Sequence, residues 1–595
     1  MSRARSTSEA PAQAVRPWRR QTVLAVLALG AVVVAGRAFQ LQVLEKDFLA
    51  REGAKRHVRT LTLSAHRGAI RDRRGEALAL SAPVDSIWCV PADLLASPPH
   101  VEALAQMMEI KPRQLTRFLE ERKGRDFVYL QRQLSPEEAK RLIAIKAPGV
   151  HREREYRRYY PAGEVAGQVV GFTDLDGRGV EGMEAARDPA LSGKPGRRQV
   201  IRDAKGRTVE NSAETLPAEA GRDLALTLDL RLQYLAYREL KNAVQRHQAK
   251  GGLVVIADAK SGEVLAMASQ PGYNPNNPDD RGSRGARNRA IIDSFEPGST
   301  VKPLVLAQAL ELGRIAPDTV IDTGPGWWQV GRLTVRDVHP HGLMDLSLIL
   351  SKSSNVGAAK IGLDIGAESI WSGFQKFGLG ERIGSGFPGE VSPLLRPPQG
   401  WGQIETATAS YGYGLSVNAL HLVRAYAALA NDGLMPQLSL TLDEARPPPQ
   451  RAISARTARD VRALMEGVIT RGGTGTRAAI PGYRVAGKTG TVRKVAETGG
   501  YASNRHQSVF IGMAPAENPR LVGLVMIDEP GSGGYYGGVV AAPVFSTVVQ
   551  GALRLLHIAP DPSLPPPPAA EPPLETVAVP LPAEAAAFLA SEPPT

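Results

Sequence analysis

An apolar segment close to the N-terminus constrains this 595-residue chain more than any other feature. Residues 22–36 (TVLAVLALGAVVVAG) carry no charged side chain, and apolar residues at helical spacing continue the segment to Leu44. A helix of about 23 residues is roughly 34 Å long, which is enough to cross a bilayer. We therefore predict one transmembrane helix over residues 21–44.

The charges around this segment predict its orientation. One acid, Glu9, and five arginines precede it: Arg3, Arg5, Arg16, Arg19 and Arg20. Because positive charge stays inside, residues 1–20 should be cytoplasmic and everything after Leu44 exported. A cleaved signal peptide is the alternative, but the apolar pattern continues past its small-residue cleavage site and favours a retained anchor. Arg37, near the outer end, is expected to snorkel or to pair with another membrane protein.

Composition narrows the possible classes of functional site, cellular compartment and binding partner. The single cysteine, Cys89, excludes an intramolecular disulfide and a cysteine-based zinc site, and an exported chain with so few cysteines fits a bacterial periplasm. The net charge of +12 suggests an anionic partner. However, the basic stretch 151–160 (HREREYRRYY) alternates Glu with Arg, which favours a solvated strand over nucleic-acid binding. His339 and His341 have no further ligands nearby, so neither a metal nor an organic cofactor is expected.

The chain after the anchor divides into three predicted regions. Residues 45–220 are charged and irregular, with short strands and turns; residues 559–595 are rich in proline and predicted to be disordered. Residues 221–558 read as a globular domain with hairpins at 252–269 and 506–530 and helical patterns starting at Pro303, Asn355 and Ala455. This order predicts an α/β-type sheet covered by helices.

Ser299 and Lys302 form the first candidate catalytic pair. They are three residues apart at the start of an apolar helical pattern, so the Lys302 amine can reach the Ser299 hydroxyl. A neutral lysine beside a serine makes a nucleophile and its base, provided that burial or repulsion lowers the pKa of the amine.

Ser353 and Asn355 form the second candidate. The Ser353 hydroxyl could relay a proton between Lys302 and a leaving group, and the Asn355 amide could orient a substrate carbonyl. An ordinary helix cap is the alternative, since the pair begins another helical pattern.

Residues 488–491 form the third candidate. Lys488, Thr489, Gly490 and Thr491 read as a strand on which a cation and a hydroxyl could hold a substrate carboxylate, with glycine allowing close approach. Residues 482–489 also match a P-loop formally. That nucleotide-binding alternative is disfavoured because no apolar strand precedes the match and no helix start follows it.

Together, the motifs Ser-x-x-Lys, Ser-x-Asn and Lys-Thr-Gly, in this order, resemble the signature of penicillin-binding proteins and serine β-lactamases. The segments 67–79, 158–196, 410–433, 481–491 and 535–545 resemble class B penicillin-binding proteins, and specifically their cell-division members. The resemblance runs from the anchor to about residue 550 and implies α+β architecture: a transpeptidase domain with an antiparallel sheet, preceded by an elongated N-terminal dimerisation or pedestal module.

The resemblance also implies a chemistry. It assigns Ser299, Lys302 and Ser353 to catalysis and Asn355 with residues 488–491 to substrate binding, and it places the oxyanion hole at the N–H groups of Ser299 and Thr491. The implied reaction cross-links peptidoglycan stem peptides at the septum, with β-lactams acylating Ser299. Implied partners are a SEDS-type glycan polymerase and other divisome membrane proteins. An elongation-specific transpeptidase, or a β-lactam sensor or hydrolase of the same fold, stays open as an alternative.

Overall fold

The computed structural model of the chain describes residues 17–46, 58–202, 208–282, 284–470, 472–495 and 500–561. Most of the predicted cytoplasmic segment (1–16) and nearly all of the predicted disordered tail (562–595) lie outside these ranges. Packing groups the chain into two compact units, residues 1–65 with 194–219 and residues 66–193 with 220–595. The boundary expected near residue 220 stays a prediction.

The first unit contains the apolar helix and a small sheet. The helix Pro17–Phe39 continues as a π-helical turn, Gln40–Leu44, and residues Trp18–Leu44 are long and apolar enough to cross a bilayer, as predicted. Near its C-terminal end, Arg37 Nη1 donates to Gln40 Oε1 (2.9 Å), and the snorkelling expected of Arg37 stays a prediction. The antiparallel sheet has the order β1-β6-β7: Val58–Leu63, Gly196–Arg202 and Thr208–Leu216.

The second unit begins with another sheet, in the order β4-β3-β2-β8, with β5 paired to β3. These strands are β2 Ile70–Arg71, β3 Ala77–Cys89, β4 Val128–Leu134, β5 Val150–Tyr159 and β8 Leu224–Ala225. Four helices share its apolar cluster around Ile87 and Leu104: Pro91–Leu95, Pro98–Met107, Pro112–Glu120 and Pro136–Ala144. Three short helices follow: Gly167–Val170, Gly182–Ala186 and Asp188–Leu191.

The basic stretch 151–160 lies on strand β5, as predicted. Two of its arginines are held by acids of the same unit: Arg158 Nε lies 2.6 Å from Glu184 Oε1, and Arg154 Nε lies 3.1 Å from Asp85 Oδ1. Charges engaged in this way do not form a phosphate-binding surface.

A five-stranded antiparallel sheet organises the globular domain, in the order β10-β9-β19-β18-β17. The strands are β9 Gly251–Asp258, β10 Val264–Gln270, β17 Ala486–Val495, β18 Tyr501–Ala514 and β19 Leu521–Asp528. Both predicted hairpins are confirmed, although β18 begins at Tyr501 rather than at His506. The sheet is antiparallel, which confirms the α+β architecture.

Helices cover both faces of this sheet because its strands are apolar on both faces. Val254 and Ile256 of β9 face a cluster shared with the helices Leu230–Arg246 and Ala542–Leu555. Val255 between them faces the larger cluster, to which the fully buried helix Ala419–Ala430 contributes. Alternation along a strand sends successive side chains to opposite faces, so one strand supplies both cores.

The remaining elements follow β10 in sequence, and all except the helix Gly537–Val540, which comes after β19, precede β17. The helices are Arg289–Ile292, Lys302–Glu311, Leu346–Ser351, Asn355–Lys376 (interrupted at Gly366), Gln403–Ala409, Ala455–Glu466 and Gly537–Val540. The short strands form the pairs β11 Val320–Asp322 with β14 Leu343–Asp345, β12 Trp327–Val330 with β13 Leu333–Arg336, and β15 Leu434–Met435 with β16 Gln450–Arg451. The helices predicted from Pro303, Asn355 and Ala455 are confirmed.

Candidate active site

Ser299 lies in a tight 3₁₀ turn, Gly298–Val301, that leads directly into the helix Lys302–Glu311. Gly298 has φ = 54°, and a Cβ added there would meet Val492 Cγ2 at 2.6 Å. Only glycine satisfies both the left-handed backbone and this close approach. The turn is therefore pressed against strand β17, and the half-buried Ser299 lies next to the strand that carries residues 488–491.

Lys302 is fully buried, and its amine points at the segment 353–355. Its Nζ donates to Ser353 O (2.6 Å) and to Asn355 Oδ1 (2.7 Å) and lies 3.3 Å from Ser353 Oγ. The expected hydrogen bond to Ser299 is absent: within the described ranges the Ser299 hydroxyl has no partner, because three acceptors of segment 353–355 already surround the amine.

Ser353 occupies a strained bend between the helices Leu346–Ser351 and Asn355–Lys376. Its φ is 59°, a left-handed value that a serine adopts only when its surroundings impose it. Ser354, not Ser353, caps the following helix, since Ser354 Oγ accepts from Gly357 N at 2.9 Å. The cap and the candidate catalytic groups thus fall on different residues: Ser354 closes the helix, while Ser353 and Asn355 contact Lys302.

Asp337 holds this bend in place, and sequence reasoning did not identify it. Its carboxylate accepts hydrogen bonds from Ser354 Oγ (2.6 Å), Asn355 N (2.6 Å) and Val356 N (3.0 Å). A carboxylate at a helix N-terminus satisfies free N–H groups and interacts favourably with the helix dipole. No motif marks Asp337, because it lies on the loop after β13 and meets the bend only in the folded chain.

Lys488 brings a second buried amine to the same hydroxyl. Its Nζ lies 2.9 Å from Ser353 Oγ and 3.0 Å from Thr489 O. The Thr489 hydroxyl donates to Thr474 Oγ1 (2.9 Å), so Thr474 is a further contact of this strand that sequence reasoning missed. At Gly490, an added Cβ would meet Thr300 Cγ2 at 3.0 Å, so glycine lets β17 approach the turn Gly298–Val301. The close approach of a ligand backbone that the sequence predicts at this glycine stays a prediction.

Burial lowers the pKa of both lysine amines, and repulsion by Lys488 adds to this effect at Lys302. Burial lowers the pKa of Lys302 well below its ordinary value, the positive charge of Lys488 lowers it further, and Asp337 partly opposes this. Burial lowers the pKa of Lys488 to about 7. These are the two causes that the sequence-based hypothesis required for a lysine base, desolvation and a like charge.

These pKa shifts predict a bell-shaped pH dependence for acylation by a penicillin. A base must be neutral, so the rate should rise as Lys302 loses its proton, at a pH well below the ordinary titration range of a lysine. A carboxylate needs a charged partner, so the rate should fall as Lys488 loses its proton near pH 7. The measurement is the second-order acylation rate constant between pH 5 and 9.

The matched control for this profile is the methyl ester of the same penicillin. Without a carboxylate, the ester should acylate more slowly and show no fall above pH 7. A rate for the free acid that keeps rising to pH 9 would contradict the proposed role of Lys488.

The P-loop alternative is excluded by the backbone. Residues 488–491 lie within the extended strand β17, and Gly487 pairs with Gly512 of β18. A P-loop needs a helix to begin at the Lys-Thr pair so that the N–H groups of that helix surround the phosphates.

The three candidate motifs therefore converge. Lys302 and Lys488 meet at the Ser353 hydroxyl, and the turn carrying Ser299 touches β17 through Gly298 and Gly490. The arrangement offers a half-exposed hydroxyl that could act as a nucleophile, a desolvated amine, a bridging hydroxyl and a lysine on a strand edge. These groups suit an acyl transfer through a serine ester.

Comparisons with known proteins identify two domains along the chain. A family model described as the penicillin-binding protein transpeptidase domain matches residues 252–550, and one described as the penicillin-binding protein dimerisation domain matches residues 62–226. Both domains expected from the resemblance are thus recovered along the chain.

This chain is also similar to known proteins over nearly its whole length. The probable peptidoglycan D,D-transpeptidase PenA of Neisseria gonorrhoeae is 43% identical over 542 residues, which is 90% of this chain and 92% of that protein. The peptidoglycan D,D-transpeptidase FtsI of Escherichia coli K12 is 41% identical over 550 residues, 91% and 93% of the two chains. Penicillin-binding protein 3 of Mycobacterium tuberculosis, solved with ampicillin, is 30% identical, with a TM-score of 0.68 over 85% of this chain and 99% of that chain. The chain belongs to the class B penicillin-binding proteins, the family of peptidoglycan D,D-transpeptidases that includes FtsI and PenA.

Proposed function

We propose that this chain cross-links peptidoglycan stem peptides during cell division, through an acyl-enzyme on Ser299. The observation that carries the proposal is the position of Ser353 Oγ, 3.3 Å from Lys302 Nζ and 2.9 Å from Lys488 Nζ. A hydroxyl between two buried amines of lowered pKa can pass a proton from one to the other.

Binding begins at the edge of the sheet. Strand β17 ends the order β10-β9-β19-β18-β17, so one edge of it is open to an extended peptide. Lys488 and Thr489 hold the terminal carboxylate of a stem peptide that ends in D-Ala-D-Ala. Asn355 orients the peptide through its side-chain amide.

Acylation follows at the penultimate carbonyl. Neutral Lys302 takes the proton of Ser299, whose oxygen bonds to the carbonyl carbon while the N–H groups of Ser299 and Thr491 stabilise the oxyanion. The amide C–N bond breaks, and the terminal D-Ala leaves with a proton delivered through Ser353. An amine of a neighbouring stem then attacks the ester, and its proton returns to Ser299 by the same path.

β-Lactams bind to the same groups and acylate Ser299 by the same steps. Their strained amide lies beside a carboxylate, so Lys488 and Thr489 position the ring and Ser299 opens it. The ring-opened product keeps its amine tethered, which leaves a stable ester. The ampicillin complex of the similar Mycobacterium tuberculosis protein supports this reading.

The division role rests on the relatives and on the region before the transpeptidase domain. A β-lactamase or sensor has no use for a dimerisation domain, and residues 62–226 match one. The FtsI relative favours septal over elongation-specific synthesis. We also propose a cytoplasmic N-terminus, a periplasmic catalytic domain in the inner membrane at the septum, and contacts of Arg37 and the N-terminal module with a SEDS-type polymerase and other division proteins.

The decisive experiment follows the fate of the acyl group. Purified full-length protein in detergent is incubated with a stem peptide ending in D-Ala-D-Ala and an acceptor peptide bearing a free amine. We expect mass spectrometry to find cross-linked product with one D-Ala released per bond formed. Hydrolysed donor without cross-link would indicate a hydrolase instead.

A second experiment tests the division role in cells. Depletion of this protein should produce filaments, whereas round cells would indicate an elongation enzyme.

A further inference from the structure

A buried tyrosine outside the three motifs donates a hydrogen bond to the backbone beside Ser299. Tyr426 lies in the helix Ala419–Ala430, and its Oη donates to Thr300 O at 2.7 Å. Thr300 stands between Ser299 and Lys302 in the chain. Tyr426 therefore contacts the short backbone segment that carries both the proposed nucleophile and its proposed base.

Neither end of this hydrogen bond is open to water. Tyr426 and Thr300 are both fully buried. Burial raises the pKa of the Tyr426 phenol well above its ordinary value, so the phenol keeps its proton and remains a donor at every pH at which acylation is measured. Without the phenol, the Thr300 carbonyl would lose a donor that no water replaces, which favours a shift of the turn.

The helix that carries Tyr426 is a fixed reference inside the domain. All 12 of its residues are buried, and it packs against β9, β18 and β19 of the central sheet. Two arginines bind backbone carbonyls at this helix: Arg424 Nη2 donates to Gly378 O (2.7 Å), and Arg462 Nη1 donates to Leu429 O (2.9 Å). A hydrogen bond from Tyr426 therefore ties the turn to the core of the domain.

Other contacts hold the same turn at its N-terminal end. Gly298 N donates to Gly412 O (3.0 Å), and Thr300 Oγ1 donates to Pro297 O (2.7 Å). The Tyr426 hydrogen bond adds a contact towards the opposite end, where the turn passes into the following helix. The two ends together fix the orientation of the peptide groups between them.

We propose that Tyr426 is a positioning residue for the acylation of Ser299. Its hydroxyl holds the Thr300 peptide and so keeps the Ser299 hydroxyl, the Ser299 N–H group and the Lys302 amine in the relative positions that attack requires. A misplacement of about 1 Å can lower a rate by about 10²-fold, so a contact one residue from the nucleophile affects the reaction. The inference rests on the proposed function only in taking Ser299 as the acylated residue.

The alternative is that this hydrogen bond only satisfies a buried phenol. Buried tyrosines generally need such a partner, and the chain offers a second example for comparison. Tyr273 is 3% exposed, and its Oη donates to Gly167 O at 3.0 Å. The two phenols share their burial and their kind of acceptor, but of the two, Tyr426 is the one that reaches the turn beside Ser299. Replacing each with phenylalanine removes the same interaction at two different places.

The test measures acylation of the full-length protein in detergent by a fluorescent penicillin, in stopped flow at several penicillin concentrations. This separates the limiting acylation rate from the half-saturating concentration. We expect Tyr426→Phe to lower the limiting rate about tenfold and to leave the half-saturating concentration unchanged, because the proposed carboxylate contacts at Lys488 and Thr489 stay in place. The midpoints of the pH profile should not move, since both lysines are retained.

Tyr273→Phe is the matched control and should acylate at the wild-type rate, although thermal unfolding should show a similar loss of stability in both variants. Rates are compared per labelled molecule, so an unfolded fraction does not imitate a slow enzyme. A wild-type limiting rate in Tyr426→Phe, or equal slowing of both variants, would overturn the positioning role. Labelling of Ser299→Ala would instead show that the site assignment itself is wrong.

Discussion

Replacing Ser299 with alanine should reduce covalent labelling by a fluorescent penicillin to background, a loss of at least about 10³-fold in acylation rate. The ester cannot form without the Ser299 oxygen, and the remaining groups offer only non-covalent binding. The measurement is labelling of purified protein followed by denaturing gel electrophoresis, with time courses for wild type and variant.

The environment of Ser299 makes this a clean substitution. Its hydroxyl has no hydrogen-bond partner within the described residues, so alanine leaves no buried polar group unsatisfied. Ser294→Ala, which removes an exposed hydroxyl five residues earlier, is the control and should label like wild type. Undiminished labelling of Ser299→Ala would mean that another hydroxyl, such as Ser353, is the nucleophile.

Replacing Lys302 with methionine should lower the acylation rate by about 10²–10⁴-fold, the contribution typical of a positioned general base. Methionine is apolar and similar in length, so it fills the fully buried site without a charge. It leaves Ser353 O and Asn355 Oδ1 without their donor, so some loss of order in that bend contributes as well.

The pH profile separates these two contributions. If Lys302 is the base, the residual rate of Lys302→Met should lose the rise at low pH, whereas a purely structural defect should lower the rate equally at every pH. Lys376→Met, at the exposed end of the helix Asn355–Lys376, is the control and should keep both rate and profile. An unchanged rise in the variant would assign the base to another group.

Local pattern predicted the elements of the catalytic domain but not their order in the sheet. The hairpin β9–β10 follows from two apolar runs around a short turn, and β17 from apolar residues around Lys-Thr-Gly. The pairing of β9 with β19 joins Val255 to Leu524, two residues far apart in sequence. No local signal encodes such a pairing, because it depends on how the intervening helices pack on the two faces.

In the candidate site, too, local sequence pattern predicted some features and contacts between distant segments decided the others. The residue types and spacing of Ser299, Lys302, Ser353 and Lys488 were sufficient to propose an acyl-transfer chemistry. The partner of Lys302 was predicted incorrectly, because helical spacing says nothing about the acceptors that another segment brings to the amine. Asp337 could not be identified, since a lone carboxylate in a loop acquires meaning only from the groups packed around it.

By itself, the sequence determined the apolar anchor, the hairpins and helices of the catalytic domain, and the three motifs, because each depends on residues within a few positions of one another. The tertiary structure alone decided that Lys302 and Lys488 share the Ser353 hydroxyl and that Asp337 holds the bend beneath them. These depend on burial and on contacts between distant segments, and it is burial that lowers the pKa of both lysines and enables the chemistry.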